Sequence, residues 1–166
     1  NEPRIPTVKT RILLLNCPNI DRNGPDGTAQ ITVSPCLTLL LLNATSMAKT
    51  GAIELLETEL KLSKCQIALI TESWFTNKHS ESVVSICNYQ LLRRDRGSRG
   101  GGVCAYIRGD VSCVRVDLNT VNDKVEIMWL KCSYHDHFDQ LYYVACCYHP
   151  PKACYNTDDF VETLSS

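Results

Sequence analysis

The sequence lacks three features that would each indicate a broad class of protein: a large net charge, long apolar runs and paired cysteine motifs. Its 166 residues carry a formal charge of −1, so the total charge identifies no partner. No apolar run approaches the roughly 20 residues of a membrane-spanning helix, and no membrane partner is expected. The ten cysteines contain no C-x-x-C pair and no regular spacing, which argues against a disulfide framework.

Signals for secretion and for nucleophilic enzymes are also missing. The apolar runs at residues 11–17 and 37–42 are too short and wrongly flanked for a signal peptide. Cys104 and Cys146 lie inside apolar strand patterns, where a free thiol behaves as a small hydrophobic group. These observations predict an intracellular protein, nuclear or cytoplasmic and not secreted. No Ser/His/Asp or Cys/His arrangement is evident.

What the sequence does contain is enough apolar material for one domain, because 44% of its residues are hydrophobic. Residues 1–36 hold five of the seven prolines together with Asn-Gly and Asp-Gly pairs, and they predict a poorly ordered linker. Residues 37–166 alternate strand-like and helix-like patterns, and they predict a single α/β domain.

A strand-helix-strand pattern places two polar side chains at adjacent strand ends. Apolar residues run through 37–42 into Asn43 and through 67–71 into Glu72, and residues 50–62 between them have helical spacing. Such a unit has parallel strands, and ligands bind outside the carboxyl ends of parallel strands. A carboxamide and a carboxylate there are oxygen donors suited to Mg²⁺. The alternatives are an Asx turn for Asn43 and a solvated charge for Glu72.

The remaining sequence is dense in strand patterns. It predicts a strand at residues 111–118, a helix beginning at Thr157, and two hairpins, one of residues 89–93 with 103–108 and one of residues 126–133 with 141–148. Parallel strands followed by antiparallel hairpins predict a mixed β-sheet with helices on one face, within the α/β class.

A cluster of arginines lies in the first hairpin. Residues 88–115 contain six arginines and two aspartates, whereas residues 117–166 contain three lysines and eight acidic residues. Four arginines are therefore candidates for contacts with the phosphates of a polyanion, and a solvated hairpin is the alternative. These candidates are Arg93, Arg94, Arg96 and Arg99. The glycines of residues 97–102 are interpreted as a tight hairpin turn, because no Walker lysine and no helix follow them.

Two polar groups in the second hairpin are also of interest. Tyr148 ends an apolar strand, where its phenol could donate a hydrogen bond to a phosphate; the alternative is an edge aromatic with its hydroxyl in water. The His-Asp-His run at residues 135–137 is interpreted as a turn rather than a metal site, because no third ligand is near it in the sequence.

Five short motifs occur in one order along the chain: NATSM at 43–47, ITESW at 70–74, RDRGSRGGGV at 94–103, EIMWL at 126–130 and YHPP at 148–151. In this order and spacing they resemble the N-terminal half of the endonuclease domain of non-LTR (LINE-type) retrotransposons. That domain belongs to the endonuclease/exonuclease/phosphatase superfamily. The resemblance covers residues 37–166.

The resemblance implies the first half of a four-layer α/β sandwich that nicks target DNA with Mg²⁺. Glu72 matches the family's metal-binding glutamate, and Asn43 and Tyr148 match residues that act beside the metal and the scissile phosphate. DNA, contacted through its backbone with low sequence specificity, is the implied partner. A C-terminal half or a reverse-transcriptase domain of a parent polyprotein is a further implied partner.

Two motifs of the family are absent from the 166 residues. These are Gly-Asp-Phe-Asn and Ser-Asp-His, which supply the water-orienting aspartate and the catalytic histidine. The chain is therefore expected to be inactive alone, as part of a Mg²⁺-dependent endonuclease. The alternative is a non-catalytic remnant or a nucleic-acid-binding module. A phosphatase of the same superfamily is disfavoured by the arginine-rich hairpin.

If the chain is half of a four-layer sandwich, its sheet is also expected to be incompletely covered. The runs at residues 37–42, 67–71, 103–107, 127–130 and 141–147 are apolar at consecutive positions, which is typical of strands covered on both faces. They are expected to form one sheet whose second face lacks its partner sheet and exposes an apolar patch.

Overall fold

The computed structural model describes residues 11–15, 18–21, 30–33, 37–97, 100–117, 124–134 and 141–165. The strands are β1 Arg11–Leu15, β2 Pro18–Asp21, β3 Gln30–Val33, β4 Leu37–Asn43, β5 Ile67–Thr71, β6 Tyr89–Arg94, β7 Val103–Arg108, β8 Val111–Val116, β9 Glu126–Tyr134 and β10 Leu141–Tyr148. The helices are α1 Ala52–Ser63, α2 Glu81–Val84 and α3 Thr157–Ser165. Arg99 and the His-Asp-His run at 135–137 lie outside the described residues.

The first sheet has five strands in the order β1-β4-β5-β7-β6. β4 and β5 are parallel, and Asn43 is the register partner of Thr71. The other neighbouring strands are antiparallel. Helix α1 connects the two parallel strands, so the predicted strand-helix-strand unit and the mixed sheet are confirmed. Asn43 and Glu72 consequently lie at the same edge of the sheet.

Helices cover one face of this sheet. Leu56 and Leu60 of α1 are buried in a cluster that contains Ile70, Cys104 and Tyr106 from the sheet. Burying a leucine side chain contributes roughly 1.5–3 kcal/mol, so this face holds α1 in place. The phenol of Tyr106 donates a 2.6 Å hydrogen bond to the carbonyl of Val84, which ties α2 to the same face.

The expectation of a single sheet with an uncovered face is wrong. β8, β9 and β10 form a separate antiparallel sheet in the order β10-β9-β8. Its inward side chains, among them Met128, Leu130 and Cys146, form one buried cluster with residues of the first sheet such as Leu39 and Leu69. The sheet of β8–β10 therefore supplies the partner that the first sheet was expected to lack.

The error has a specific cause in the sequence of β10. Its eight residues LYYVACCY read as a continuous apolar run, which suggests burial on both faces. In the structure Val144 and Cys146 are buried, whereas Tyr143 is 62% exposed. The side chains on the outer face of β10 are apolar even though no described element covers them. The sequence of β10 therefore lacks the alternation of polar and apolar residues that marks a strand buried on one face only.

The segment predicted as a linker contains three short strands. β1 pairs with β4 at the edge of the first sheet, and β2 pairs with β3. The eight cysteines among the described residues are free thiols. Two of them, Cys113 and Cys132, are register partners with sulfur atoms 2.9 Å apart. None of the described helices has the length and apolar character needed to cross a membrane.

Candidate functional site

The turn Glu72-Ser73-Trp74 follows β5 and is bound on both sides by neighbouring loops. On one side the backbone N–H groups of Ser46 and Met47 donate 2.8 Å hydrogen bonds to the carbonyls of Glu72 and Ser73. On the other side the N–H groups of Ser73 and Trp74 donate to the carbonyls of Gly102 and Gly101, in the loop before β7, at distances of 3.1 and 2.9 Å. The backbone that carries Glu72 is therefore fixed by both flanking segments.

Strained backbone is concentrated at this turn. Glu72 and Trp74 have φ values of 57° and 58°, in the left-handed region that non-glycine residues rarely adopt. Thr45 and Ser46, in the loop after β4, also have positive φ. Such residues cost on the order of 1–3 kcal/mol each and occur preferentially at functional sites. The surrounding hydrogen bonds hold this conformation in place.

The carboxylate of Glu72 accepts two hydrogen bonds. Its Oε2 accepts from the indole Nε1 of Trp74 at 2.5 Å and from the backbone N–H of Gly101 at 3.3 Å. The phenol of Tyr148 is a third donor, near enough to favour the anionic form of this carboxylate. Burial alone would raise the pKa of Glu72, but these donors and the nearby Arg96 outweigh it, and the pKa lies below its usual value. Glu72 is thus an anion at neutral pH.

Tyr148 lies at the carboxyl end of β10, so the second sheet supplies a residue to the site on the first. Burial, the hydrogen bond to Glu72 and the charge of that carboxylate raise the pKa of Tyr148 to about 12. The phenol is therefore a hydrogen-bond donor at every physiological pH. The role predicted for Tyr148 from the sequence, donation of a hydrogen bond to a phosphate, stays a prediction.

Tyr148 is expected to titrate near pH 12, whereas an ordinary tyrosine titrates at about 10. Because its folded pKa is raised, the stabilisation it contributes is complete below about pH 10 and is lost as the pH rises through about 12. Glu72→Gln should bring the Tyr148 titration closer to that of an ordinary tyrosine. The measurement is NMR titration of ¹³C-labelled tyrosine, assigned with Tyr148→Phe.

The exposed Glu59 on α1 provides the control for this titration. Glu59→Gln removes the same charge away from the site and should leave the Tyr148 titration unchanged. A Tyr148 titration that is the same in wild type and Glu72→Gln would show that the carboxylate does not contact the phenol.

Asn43 is exposed at the end of β4 and adopts the Asx turn that the sequence left as an alternative. Its Oδ1 accepts a 3.3 Å hydrogen bond from the N–H of Thr45. An amide oxygen has two lone pairs, and the Asx turn uses one of them. The second lone pair of Asn43 Oδ1 is therefore able to bind another group. The structure places Asn43 on the strand next to Glu72, but no side-chain contact joins the two residues.

A second carboxylate, Glu126, belongs to the site and was not identified from the sequence. It is buried at the start of β9, opposite Tyr148 in the register of the second sheet. Its Oε2 accepts a hydrogen bond from the N–H of Gly102, and its Oε1 forms an ion pair with Arg96. Arg96, Glu126 and Gly102 together form what we call the loop latch. The available signal was an acid adjoining an apolar strand, the same signal that selected Glu72.

The predicted phosphate-binding arginines have different environments. Arg93 donates to the carbonyls of Thr76 and His79, forms an ion pair with Asp95 and lies over the ring of Phe75. These contacts assign Arg93 to the packing of the first sheet. Arg94 donates a 2.7 Å hydrogen bond to the carbonyl of Ile127, which joins the two sheets. Arg96 belongs to the loop latch, and Arg99 lies outside the described residues.

The donors at this edge fit Mg²⁺ by type. Mg²⁺ in proteins is commonly held by one or two carboxylates, with water and substrate phosphate completing its shell. Glu72 is an ionised carboxylate at the sheet edge, and Asn43 offers an amide oxygen on the adjacent strand. Within the described part of the chain, no group of three or more His, Cys, Asp or Glu residues is gathered as a metal cluster. No protein-family model matches the sequence, and no curated protein matches it.

Proposed function

We propose that this chain carries the N-terminal part of a Mg²⁺-dependent DNA endonuclease site of the LINE type. The observation that carries the proposal is the Glu72 carboxylate, held as an anion by Trp74, Gly101 and Tyr148 at the carboxyl edge of two parallel strands. Ligand sites of α/β sheets lie at this edge. The strained turn that presents Glu72 is the kind of backbone that functional sites retain.

Each residue has a defined part in this proposal. Glu72 would hold Mg²⁺ through its carboxylate, and Asn43 would add an oxygen from the neighbouring strand. Bound Mg²⁺ supplies neutralisation of the charge that develops on the phosphate during displacement. The single O–H of Tyr148 keeps its proton to about pH 12, and it would donate to a phosphate oxygen instead of toward Glu72. Trp74 and Gly101 fix the orientation of the Glu72 carboxylate.

We extend the proposal to a four-layer sandwich. The described residues supply three layers: helices, the five-stranded sheet and the three-stranded sheet. The outer face of the three-stranded sheet carries exposed Val114, Leu141 and Tyr143. Exposed apolar side chains on a sheet face support a further covering layer.

A non-catalytic nucleic-acid-binding module is the second candidate. It is favoured by the four cationic side chains that line one cleft of the protein, because such a lining attracts a polyanion without a metal ion. These side chains are Arg94, Arg96, Lys124 and Lys152. The two candidates differ in one respect: an endonuclease site binds a divalent cation at Glu72, whereas a binding module has no need of one.

The chain's two tryptophans allow a direct test of cation binding. Mn²⁺, a paramagnetic substitute for Mg²⁺, should broaden the indole N–H resonance of Trp74 at lower concentration than that of Trp129. Trp74 contacts Glu72, whereas Trp129 lies in β9. Glu72→Gln should remove this preference, because it removes the anionic ligand. The measurement is a Mn²⁺ titration followed by ¹H–¹⁵N NMR.

Glu59→Gln is again the matched control and should behave as wild type. Equal broadening of both indole resonances in wild type, or unchanged broadening in Glu72→Gln, would contradict a cation site at Glu72. Either result, combined with retained DNA binding, would support the binding-module candidate.

A further inference from the structure

Two cysteines face each other across strands β8 and β9 of the second sheet. Cys113 and Cys132 are register partners in this antiparallel pair, and their sulfur atoms lie 2.9 Å apart. The two residues are 19 positions apart in the sequence, and it is the pairing of the strands that brings them together. The spacing of the cysteines in the sequence therefore gave no sign of this contact.

The backbone of an antiparallel strand pair allows a covalent bond between these two sulfur atoms. Directly opposite residues have Cα atoms about 4.5 or 5.5 Å apart, depending on the hydrogen-bonding pattern. Both spacings lie within the roughly 4.4–6.8 Å that separates the Cα atoms of disulfides. A sulfur–sulfur bond is about 2.05 Å long, so the two sulfur atoms have to approach each other by about 0.9 Å. Rotation of the two side chains supplies this approach without a change in the register of the strands.

The two thiols differ in their access to solvent. Cys132 is fully buried, whereas Cys113 is 7% exposed and belongs to β8, an outer strand of the sheet β10-β9-β8. A small oxidant therefore reaches Cys113 first. Cys113 is also the better nucleophile of the two, because the hydrogen bond from Cys132 lowers the pKa of its thiol, although burial acts in the opposite direction.

We propose that Cys113 and Cys132 form a modification site, which hydrogen peroxide converts into a reversible disulfide between β8 and β9. The thiolate of Cys113 attacks one oxygen of the peroxide, the O–O bond breaks and hydroxide leaves, which gives a sulfenic acid at Cys113. The thiol of Cys132 then attacks the sulfur of this sulfenic acid, and its proton leaves with the hydroxide as water. In total the two thiols lose two electrons and two protons, and the peroxide becomes two molecules of water.

The disulfide would join the outer strand β8 covalently to the central strand of its sheet. Neither cysteine takes part in the proposed endonuclease site, so the modification is independent of that site. In the reducing compartment that the sequence predicts, disulfides are usually transient and redox-sensing. A dithiol that reduces the bond returns both cysteines to free thiols.

Mass spectrometry of the wild-type chain after treatment with hydrogen peroxide is the first test. The free thiols are alkylated in denaturant, and the chain is digested with trypsin without reduction. The tryptic peptide that contains Cys113 should be linked to the peptide that contains Cys132. Fragmentation should place the link at Cys132 rather than at Cys146 or Cys147, which share its peptide. A Cys113 that stays a free thiol, or that is linked to another cysteine, would overturn the proposal.

Thermal unfolding is the second test. Oxidation should raise the Tm of the wild-type chain by about 6–12 °C, because a disulfide that closes a loop of this length restricts the unfolded chain. Dithiothreitol should reverse the shift. Cys132→Ser should abolish it, whereas Cys87→Ser, which removes an exposed thiol, should retain it. A shift that persists in Cys132→Ser would overturn the proposal. The link in the wild-type chain decides the question even if Cys132→Ser does not fold.

Discussion

The 166-residue chain is expected to leave supercoiled plasmid DNA uncut in the presence of Mg²⁺. In-line attack requires a water molecule that a base deprotonates, and Glu72 is the proposed ligand of the metal rather than that base. His149, next to Tyr148, has its ring centroid 4.8 Å from that of Phe160, at an interplanar angle of 33°. Its Nδ1 lies 3.3 Å from the hydroxyl oxygen of Tyr155. General-base catalysis contributes about 10²–10⁴-fold, so a site without its base should fall below detection.

A second protein that should cut DNA serves as the positive control for this assay. A C-terminal half that contains the Gly-Asp-Phe-Asn and Ser-Asp-His motifs, fused after Ser166, should restore Mg²⁺-dependent nicking. That activity should be lost in Glu72→Gln and strongly reduced in Tyr148→Phe, whereas Glu59→Gln should retain it. Nicking by the 166-residue chain alone that disappears in Glu72→Gln would overturn the prediction. It would show that these residues already assemble a complete site.

Local patterns in the sequence were sufficient to predict the parallel strand pair and the first hairpin of the five-stranded sheet, but not its edge strand β1, which lies in the segment interpreted as a linker. The strand-helix-strand unit was predicted because Leu56 and Leu60 recur at helical spacing between two short apolar runs, and the structure confirms α1 between parallel β4 and β5. The hairpin of β6 with β7 was predicted from the glycine-rich turn between its strands. Each of these elements is specified by neighbouring residues, so no knowledge of distant contacts was required.

The second sheet and the loop latch depend on contacts between distant residues. Assigning β9 and β10 to a separate sheet requires knowing which face of each strand packs on Leu39 and Leu69. Glu126 lies 24 residues after Gly102, and its hydrogen bond to that glycine links β9 to the turn after β6. Neither arrangement has a periodic signature. The metal candidate Glu72 and the catalytic candidate Tyr148 were identified separately, whereas their proximity could be learned only from the structure.

The loop latch explains why the glycines before β7 are required in this structure. The N–H of Gly101 donates to Glu72, and the N–H of Gly102 donates to Glu126. Gly101 has a φ of 68°, and an added Cβ would lie 2.6 Å from Arg96 Nε and Glu126 Oε2. A side chain at Gly101 would therefore force the side chains of Arg96 and Glu126 to move away from the backbone.

Gly101→Ala is expected to lower the free energy of unfolding by about 2–5 kcal/mol. Gly97 is the matched control, because its φ of 75° is similar but an added Cβ would meet nothing within 4 Å. Gly97→Ala should cost only the roughly 1–2 kcal/mol of a left-handed alanine. Gly101→Ala adds about 1–3 kcal/mol of overpacking against the Arg96–Glu126 pair. Urea denaturation of both variants measures the difference in their free energies of unfolding, provided that this free energy falls with urea concentration at the same slope in both.

The same pair of variants connects stability to the site. In Gly101→Ala the displaced loop should weaken the N–H contact with Glu72, so the indole resonance of Trp74 should shift while that of Trp129 remains in place. Gly97→Ala should leave both resonances unchanged. Equal losses of unfolding free energy in the two variants, with an unchanged indole resonance of Trp74, would show that the loop accommodates the added methyl group without further loss of stability. In that case the Arg96–Glu126 pair would not position the Glu72 carboxylate, and the rigidity of the site would have to come from the turn at Glu72 itself.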